Sequence, residues 1–183
     1  MANITFVYNT QMKNSKISIG LINPKSPDNV HSVMRASGNY GVDSVFYTGS
    51  RYQRAMRLNP NAPDMSRKVS ESIPMTEVDD LLDVAGEMKI ICVELAENAT
   101  ALPEYEHPQN AFYIFGPEDS TIDQAIIDRA DAVVYVPTVG CMNLAATVNV
   151  LLYDRLFKSY QSIDDNKLIF ASRDTNNTIK VSG

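Results

Sequence analysis

Residues 131–160 read DAVVYVPTVGCMNLAATVNVLLYDRLFKSY, and they join a strand pattern to a helix pattern. The apolar, largely β-branched run at 132–136 predicts a strand that is buried on both faces and that ends at Pro137. After the Gly140-Cys141 turn, apolar residues recur at three- and four-residue spacing, which predicts a long core helix. These residues are Leu144, Ala145, Val148, Leu151, Leu152 and Leu156.

Two asparagines, Asn143 and Asn149, lie in this apolar segment, and they need hydrogen-bond partners if they are buried. For Asn149 the simpler interpretation is structural, with its amide capping or bridging backbone groups. Asn143 follows the carboxyl end of a predicted central strand, which is where open α/β sheets place ligands. Asn143 is therefore a candidate site residue.

Strand and helix patterns alternate along the rest of the chain. Edge strands are expected at 4–8 and 16–22, and further strands at 42–47, 89–95 and 111–115. This alternation predicts an α/β fold with a mostly parallel sheet and helices on both of its faces. We expect residues 1–160 to form a single domain and residues 161–183 to form a polar, partly ordered tail.

Three helices are predicted between these strands. The first has Ser26 as its N-cap and Pro27 at its first position, and it ends near Gly38 and Gly41. Its buried stripe comprises Val30, Val33, Met34 and Ser37, and its opposite face comprises Asp28, His31, Ser32 and Arg35. A capping-box pattern at 76–79 predicts an amphipathic helix with Val78, Leu81, Leu82 and Ala85. Ser120 and Asp123 are expected to cap a helix at 121–130.

The composition limits the classes of protein and partner. A chain of 183 residues that is 44% hydrophobic has room for a full core. Cys92 and Cys141 are too few for a disulfide framework, and Cys141 is expected to be a small buried packing residue. Neither a secretion signal nor a membrane-spanning apolar run occurs, so we expect a cytoplasmic protein without a membrane partner. His31 and His107 lie far apart without ligand-spaced neighbours, so no metal site is expected.

The net charge of −6 argues mildly against nucleic-acid binding, but basic residues are concentrated in the irregular segment 49–75. They are Arg51, Arg54, Arg57, Arg67 and Lys68. Two interpretations remain open for this segment. It is either a solvated loop with scattered charge or a patch that follows a phosphate backbone, with Tyr52 available to stack on a base.

Glu118 follows the predicted strand at 111–115 within a Gly116-Pro117 turn, at the start of a predicted helix. Its carboxylate either complements the helix dipole or accepts hydrogen bonds from a ligand. The sequence contains no Gly-x-Gly-x-x-Gly or P-loop pattern, which excludes the commonest dinucleotide and nucleoside-triphosphate sites.

Three motifs occur in order along residues 17–156. The first is Asn23-Pro24-Lys25-Ser26-Pro27-Asp28-Asn29, followed by Arg35 and Gly41. The second is Phe115-Gly116-Pro117-Glu118. The third comprises Val136-Pro137-Thr138, Cys141-Met142-Asn143-Leu144 and Leu152-Tyr153-Asp154. Together they resemble the motifs of the SpoU (TrmH) family of RNA ribose 2′-O-methyltransferases.

The resemblance implies a sheet whose C-terminal part is threaded into a deep trefoil knot, with S-adenosylmethionine bound by the knot loops, usually in a homodimer. By this analogy the cofactor contacts the loops that follow three strands. The implied cofactor-binding residues are Glu94, Leu95, Gly116, Val136, Gly140, Met142 and Leu144. The implied catalytic residues are Asn29, Arg35, Glu118 and Asn143.

The resemblance also implies a mechanism. The sulfonium methyl group is already activated, so the protein must chiefly place a ribose 2′-oxygen in line with it. Because a guanidinium stays protonated in proteins, we expect Arg35 to clamp an RNA phosphate and to stabilise the developing alkoxide, although the family's arginine is often described as the base. Asn29 and Glu118 would orient Arg35 and the ribose, and Asn143 would fix the cofactor loop.

The chain departs from the family pattern at Asp28 and Asp119-Ser120, where glycine is common, and at Cys141, where serine is common. The loop between Pro137 and Asn143 is also short. Within the family, the residues of the second and third motifs are most similar to those of members that act on tRNA, which favours tRNA over rRNA as substrate. Two alternatives stay open: a knotted RNA-binding protein that has lost methyl transfer, and an unrelated flavodoxin-like binding domain.

Overall fold

The computed structural model describes residues 15–58, 70–159, 165–173 and 176–181. The strands in this part are β1 (Ile17–Leu21), β2 (Ser44–Tyr47), β3 (Met75–Glu77), β4 (Lys89–Val93), β5 (Thr100–Ala101), β6 (Ala111–Phe115) and β7 (Ala132–Tyr135). These seven described strands form one sheet in the order β3-β2-β1-β6-β4-β7-β5, and their six pairings are all parallel. The carboxyl ends of β1, β6, β4 and β7 therefore meet at one edge of the sheet.

The strand predicted at 4–8 falls outside the described residues. The strand predicted at 16–22 is confirmed as β1, but its assignment as an edge strand is wrong. It pairs with β2 on one side and with β6 on the other, and all five of its residues are buried. A strand that is covered on both faces and paired along both edges is part of the core.

The helices are α1 (Pro27–Tyr40), α2 (Arg51–Leu58), α3 (Gln124–Ile127), α4 (Leu144–Ser159) and α5 (Asp165–Ser172). The prediction for the start of α1 is confirmed, because Ser26 is the N-cap and its side chain accepts a hydrogen bond from the Asn29 amide. Gly41 ends α1 with a φ of 67°, a left-handed conformation that glycine adopts at little cost.

Two clusters of buried residues cover the two faces of the sheet. On one face, Ile17, Ile19 and Leu21 of β1 pack with the apolar stripes of α1 and α4. On the other face, Cys92 of β4 and Phe112 and Ile114 of β6 pack with residues 81–88 and Ile122. Each fully buried Ile, Leu or Val side chain contributes about 1.5–3 kcal/mol of transfer free energy. The predicted α/β fold, a parallel sheet covered on both faces, is confirmed, whereas the trefoil knot stays a prediction.

His31 was predicted to lie on the face of α1 opposite the buried stripe, but it is itself buried. Its side chain is only 7% exposed because Tyr52 of α2 packs against it edge to face, with ring centroids 6.4 Å apart. Tyr52 also packs edge to face against Tyr47. The ring that was predicted to be available for a base is therefore part of the protein's own packing.

The amphipathic helix predicted from the capping box at 76–79 is wrong. Residues 75–77 are instead strand β3, which pairs with β2, and only Leu82–Val84 form a short 3-10 turn. Leu81, Leu82 and Ala85 are nevertheless buried against the sheet. Strand pairing satisfies the backbone groups that a helix would otherwise use, so the apolar pattern was right about burial and wrong about conformation.

Two predictions for the third quarter of the chain also need correction. The helix expected at 121–130 contains only Gln124–Ile127, and its N-cap Asp123 makes no side-chain capping bond. Ser120 likewise donates its hydroxyl to the Thr121 carbonyl and caps no helix. Strand β7 was predicted to be buried on both faces, but Val134 alone of its four residues is fully buried, because β7 lies next to the two-residue edge strand β5 and away from the centre of the sheet.

The long helix α4 is confirmed, with Leu144, Ala145, Val148, Leu151 and Leu152 buried. Helix α5 lies in the segment 161–183 that was expected to be a tail, and its Ile169 and Phe170 side chains are exposed. Among the described helices, none is long and apolar enough to cross a membrane.

Candidate active site

A cleft lies at the carboxyl ends of β4, β6 and β7, where the three following loops approach one another. The residues lining it are Val93, Glu94, Leu95, Phe115, Gly116, Pro117, Glu118, Ser120, Tyr135, Val136, Thr138, Gly140, Cys141, Met142, Leu144 and Thr147. All seven residues predicted to bind a cofactor are among them. Their gathering into one cleft is observed, and their role in cofactor binding stays a prediction.

The Glu118 carboxylate lies at the N-terminus of α1. It accepts hydrogen bonds from the Lys25 amide at 2.8 Å, from the Ser26 amide at 3.0 Å and from the Asn29 side-chain amide at 3.2 Å. Partial burial opposes its ionisation, but these hydrogen bonds outweigh that effect and lower the pKa of Glu118. Glu118 is therefore a fixed anion that joins the loop after β6 to the start of α1.

Asn143 continues this hydrogen-bonded chain from the third loop. Its Nδ2 donates to Asn29 Oδ1 at 2.8 Å, although 114 positions separate the two residues in sequence. Its Oδ1 accepts from the Ala145 and Ala146 amides, so Asn143 also caps α4. Three of the four predicted catalytic residues are thus hydrogen-bonded in series, with Asn29 between Glu118 and Asn143.

Asn149, one and a half turns later, is exposed, and its Nδ2 donates to the Ala145 carbonyl at 2.8 Å. The structural interpretation of Asn149 is confirmed, although its surroundings are not apolar.

Glu94 holds two of the cleft loops together. One of its oxygens accepts from the Leu95 amide at 2.9 Å, and the other accepts from the Ile122 amide at 3.0 Å. Gly116 packs closely at this contact, because a Cβ there would lie 3.1 Å from Ile122 Cγ1 and 3.3 Å from Glu94 Oε2. The cleft wall at Gly116 therefore depends on the absence of a side chain.

Arg35 does not line the cleft. It is half-buried on α1, six residues after Asn29, which corresponds to about 9 Å along the helix axis. Among the described residues its guanidinium has no hydrogen-bond or ion-pair partner. The structure thus keeps Arg35 on the same helix as Asn29 but does not bring it into direct contact with the other three candidates.

The predicted RNA-binding residues differ in their exposure and in their hydrogen-bond partners. Arg51 forms two hydrogen bonds with the Asp119 carboxylate, at 2.8 and 2.9 Å. Arg54 is exposed on α2, and Arg57 donates to Gln53 at 3.2 Å. Arg67 and Lys68 fall outside the described residues.

Sequence reasoning missed several cleft residues, and for Cys141 it was wrong. Cys141 was expected to be buried, but it is exposed and lines the cleft, because it belongs to the turn at 137–141, whose residues are all exposed. Tyr135 and Thr147 also line the cleft and were not predicted. The available signal was their position, at the end of β7 next to Val136 and in the first turn of α4 that begins at Leu144.

A family model described as the SpoU rRNA methylase family matches residues 16–153, which include the first two motifs and all of the third except Asp154. The chain belongs to this family. The predicted resemblance is therefore confirmed. This SpoU-family chain is 26% identical over 156 residues to the tRNA (cytidine-2′-O-)-methyltransferase TrmJ of Methanocaldococcus jannaschii, a match covering 75% of this chain and 66% of TrmJ.

Solved structures of the SpoU family share the fold. The TrmH/SpoU tRNA modifying enzyme of A. aeolicus has a TM-score of 0.65 at 14% identity, covering 92% of this chain and 87% of that one. The SpoU methyltransferase AviRb of Streptomyces viridochromogenes, solved in complex with AdoMet, has a TM-score of 0.63 at 17% identity. That match covers 79% of this chain and 58% of AviRb. The chain thus spans less than two thirds of TrmJ and of AviRb.

Proposed function

We propose that this protein transfers a methyl group from S-adenosylmethionine to a ribose 2′-hydroxyl of RNA, with tRNA favoured over rRNA. The observation that carries the proposal is that residues of the second and third motifs line one cleft, and that Asn29 of the first motif is hydrogen-bonded to both Glu118 and Asn143. Family membership supports methyl transfer, and the names of TrmJ and of the A. aeolicus enzyme support tRNA.

The residues of the cleft fit S-adenosylmethionine. Apolar side chains of Leu95, Val136, Met142 and Leu144 offer a surface for a base, while Glu94 and Glu118 place negative charge near a sulfonium cation. When bound there, the cofactor supplies a methyl group already activated by positive charge. AviRb, a family member with the same fold, is solved with AdoMet bound.

We assign the chain's own residues to positioning and electrostatic roles. Glu118 and Asn29 orient the ribose, and Asn143 holds the loop before α4 against α1. Arg35 binds an RNA phosphate and stabilises charge that develops on the ribose oxygen. We assign Arg35 this clamp in preference to proton abstraction, because a guanidinium stays protonated in proteins.

Transfer of labelled methyl groups to bulk tRNA tests this proposal. After digestion to nucleosides, the label should appear in 2′-O-methylated nucleosides, and Arg35→Ala should lower the rate by about 100-fold. Arg129→Ala is the matched control, since Arg129 is an exposed arginine away from the cleft. Wild-type rates in Arg35→Ala would contradict the role of Arg35, and label on the bases alone would contradict ribose specificity.

The same experiment separates the alternative, an RNA-binding protein without methyl transfer. The observation that favours this alternative is the position of Arg35 outside the cleft lining. It predicts retention of tRNA without incorporation of label.

The proposal includes a homodimer. Helix α4 carries an exposed apolar stripe in which Val150, Tyr153 and Phe157 are 37%, 59% and 68% exposed, and the last two rings stack. Such a stripe on a helix otherwise packed on the core favours burial against a second copy. Tyr153→Asp should then shift the sedimenting species to a monomer, whereas Ile179→Asp, which alters an exposed apolar residue off this stripe, should not. A wild-type monomer would contradict the dimer.

The proposed catalytic unit is the single domain 1–160, with 161–183 as its tail, and the family match over 16–153 supports this division. A cytoplasmic location completes the proposal. The free state of Cys92 and Cys141 is compatible with that reducing compartment.

A further inference from the structure

Loops that follow the neighbouring strands β2, β1 and β6 are tied together beside the cleft. Arg51, the first residue of α2, binds the Asp119 carboxylate with both terminal nitrogens, at 2.8 and 2.9 Å. Lys25 Nζ approaches the same carboxylate at 3.5 Å. A bidentate arginine–carboxylate pair fixes the relative orientation of its partners as well as their distance.

The backbone around this ion pair is also constrained. Asn23 has a φ of 42°, and its Oδ1 accepts from the Arg51 amide at 3.4 Å. Its own amide donates to Thr48 Oγ1 at 3.3 Å. Gly49, with a φ of 75°, leaves the space that the Asn23 side chain fills. The start of α2 is therefore held from two sides, by Asn23 and by Asp119.

This arrangement gives Arg51 a different environment from Arg54 and Arg57 on the same helix. The Arg51 guanidinium is 29% exposed and directed to Asp119, whereas Arg54 and Arg57 are exposed without a carboxylate partner in the described part of the chain. Asp119 directly follows Glu118, whose carboxylate holds the N-terminus of α1. One short segment thus contacts both α1 and α2.

We propose that Arg51 is a positioning residue and not an RNA contact: its ion pair with Asp119 fixes α2, with Arg54 and Arg57, relative to Glu118 and the cleft. Bound RNA would then engage α2 in a single register with respect to the methyl donor. This inference rests on the proposed function, because it concerns how RNA is presented to the same cleft.

The test compares Arg51→Met, Asp119→Asn and the exchanged pair Arg51→Asp with Asp119→Arg. Lys89→Met is the matched control, because it removes another exposed ion pair, Lys89–Asp131 at 2.7 Å, at the opposite end of β4. Exposed ion pairs contribute little to stability, so all four proteins should fold. Methyl transfer to bulk tRNA is measured against tRNA concentration, with calorimetric titration of S-adenosylmethionine alongside.

Both single substitutions should lower kcat by about tenfold to a hundredfold, since misplacing a bound substrate by an ångström costs this much. The exchanged pair should recover most of the loss, and cofactor affinity should stay within about twofold of wild type, as should every constant of Lys89→Met. If Arg51 instead contacted an RNA phosphate directly, the kinetic constants of the variants would change differently. A raised KM for Arg51→Met, with unchanged kcat, normal Asp119→Asn and no recovery in the exchanged pair, would overturn the proposal.

A wild-type protein without methyl transfer would refute the proposed function and leave a separate decision on the ion pair. In that case the positioning role of the ion pair is tested by hydrogen exchange of the Lys25 and Ser26 amides, which donate to Glu118. Faster exchange in both single variants, reversed in the exchanged pair, supports the positioning role. Exchange at the wild-type rate in both single variants refutes it.

Discussion

Gly49 and Asn23 show how a single backbone conformation holds the loops beside the cleft. A Cβ at Gly49 would lie 2.3 Å from Asn23 Oδ1, and the φ of Gly49 is 75°. A side chain there meets both a conformational cost and a collision.

Gly49→Ala should therefore destabilise the protein more than Gly41→Ala. Gly41 also has a positive φ, 67°, but a Cβ there meets no heavy atom within 4 Å, so its substitution carries the conformational cost alone, about 1–2 kcal/mol. Urea unfolding measures both changes. Equal losses in the two variants would show that Asn23 moves away freely and does not hold the loop.

Glu118 permits a prediction about pH. Its pKa is lowered from the ordinary 4.5, so its ionised form stabilises the folded state above that pH, and the stabilisation is lost as the pH falls. Glu118→Gln should cost about 1 kcal/mol near neutral pH, the scale of a lost N-cap partner, and the difference from wild type should shrink on acidification. Glu87→Gln, at an exposed turn, is the control. A difference that grows on acidification would contradict this assignment.

At the scale of elements, side chains in the last two turns of α4 form hydrogen bonds with the backbone of the segment before β6. Arg155 donates to the Pro108 and Gln109 carbonyls, and Lys158 donates to the Leu102 and Tyr105 carbonyls. His107 lies between Tyr113 Oη at 2.7 Å and Asp154 Oδ2 at 2.9 Å.

Burial lowers the pKa of His107, against the opposing effect of its hydrogen bond with Asp154. The neutral imidazole then donates from Nε2 to Asp154 and accepts at Nδ1 from Tyr113, whose pKa is raised to about 12, chiefly by burial. This assignment leaves the Tyr113 oxygen to accept from Arg155, as observed. The ring nitrogens and the tyrosine hydroxyl thus all have partners.

The network predicts a loss of stability on acidification. Because the unfolded chain binds a proton at His107 more readily than the folded chain, stability should decline as the pH falls below the ordinary 6.5. His107→Gln should be less stable than wild type near neutral pH but should show a shallower decline between about pH 6.5 and 5. Urea unfolding across this range measures it, and parallel declines would contradict the protonation assigned to His107.

The same scale shows where sequence patterns were sufficient. Helix α1 has a Ser-Pro-Asp start and a terminal glycine, so its bounds and stripe could be predicted. The segment at 76–86 has an equally clear helical signature, yet β3 forms there because the backbone of β2 offers pairing partners. A local pattern cannot include that distant partner.

At the scale of the whole molecule, the parallel sheet brings the three motifs together at one edge. The Asn29–Asn143 hydrogen bond joins residues 114 positions apart, and the order of β1, β6, β4 and β7 makes it possible. The cleft residues could be predicted because family motifs mark the loops that follow these strands. The position of Arg35 relative to the cleft could not be predicted, because it depends on side-chain packing between α1 and its neighbours.

Calorimetric titration with S-adenosylmethionine addresses the cleft itself. Wild type should bind one molecule per chain, and Gly140→Phe should weaken binding by at least about tenfold, or about 1.4 kcal/mol. Gly140 lines the cleft and has no heavy atom within 4 Å of an added Cβ, so the variant should keep the wild-type unfolding midpoint. Absence of binding by the wild-type chain, or equal affinity in the two proteins, would contradict the assignment of this cleft to the methyl donor.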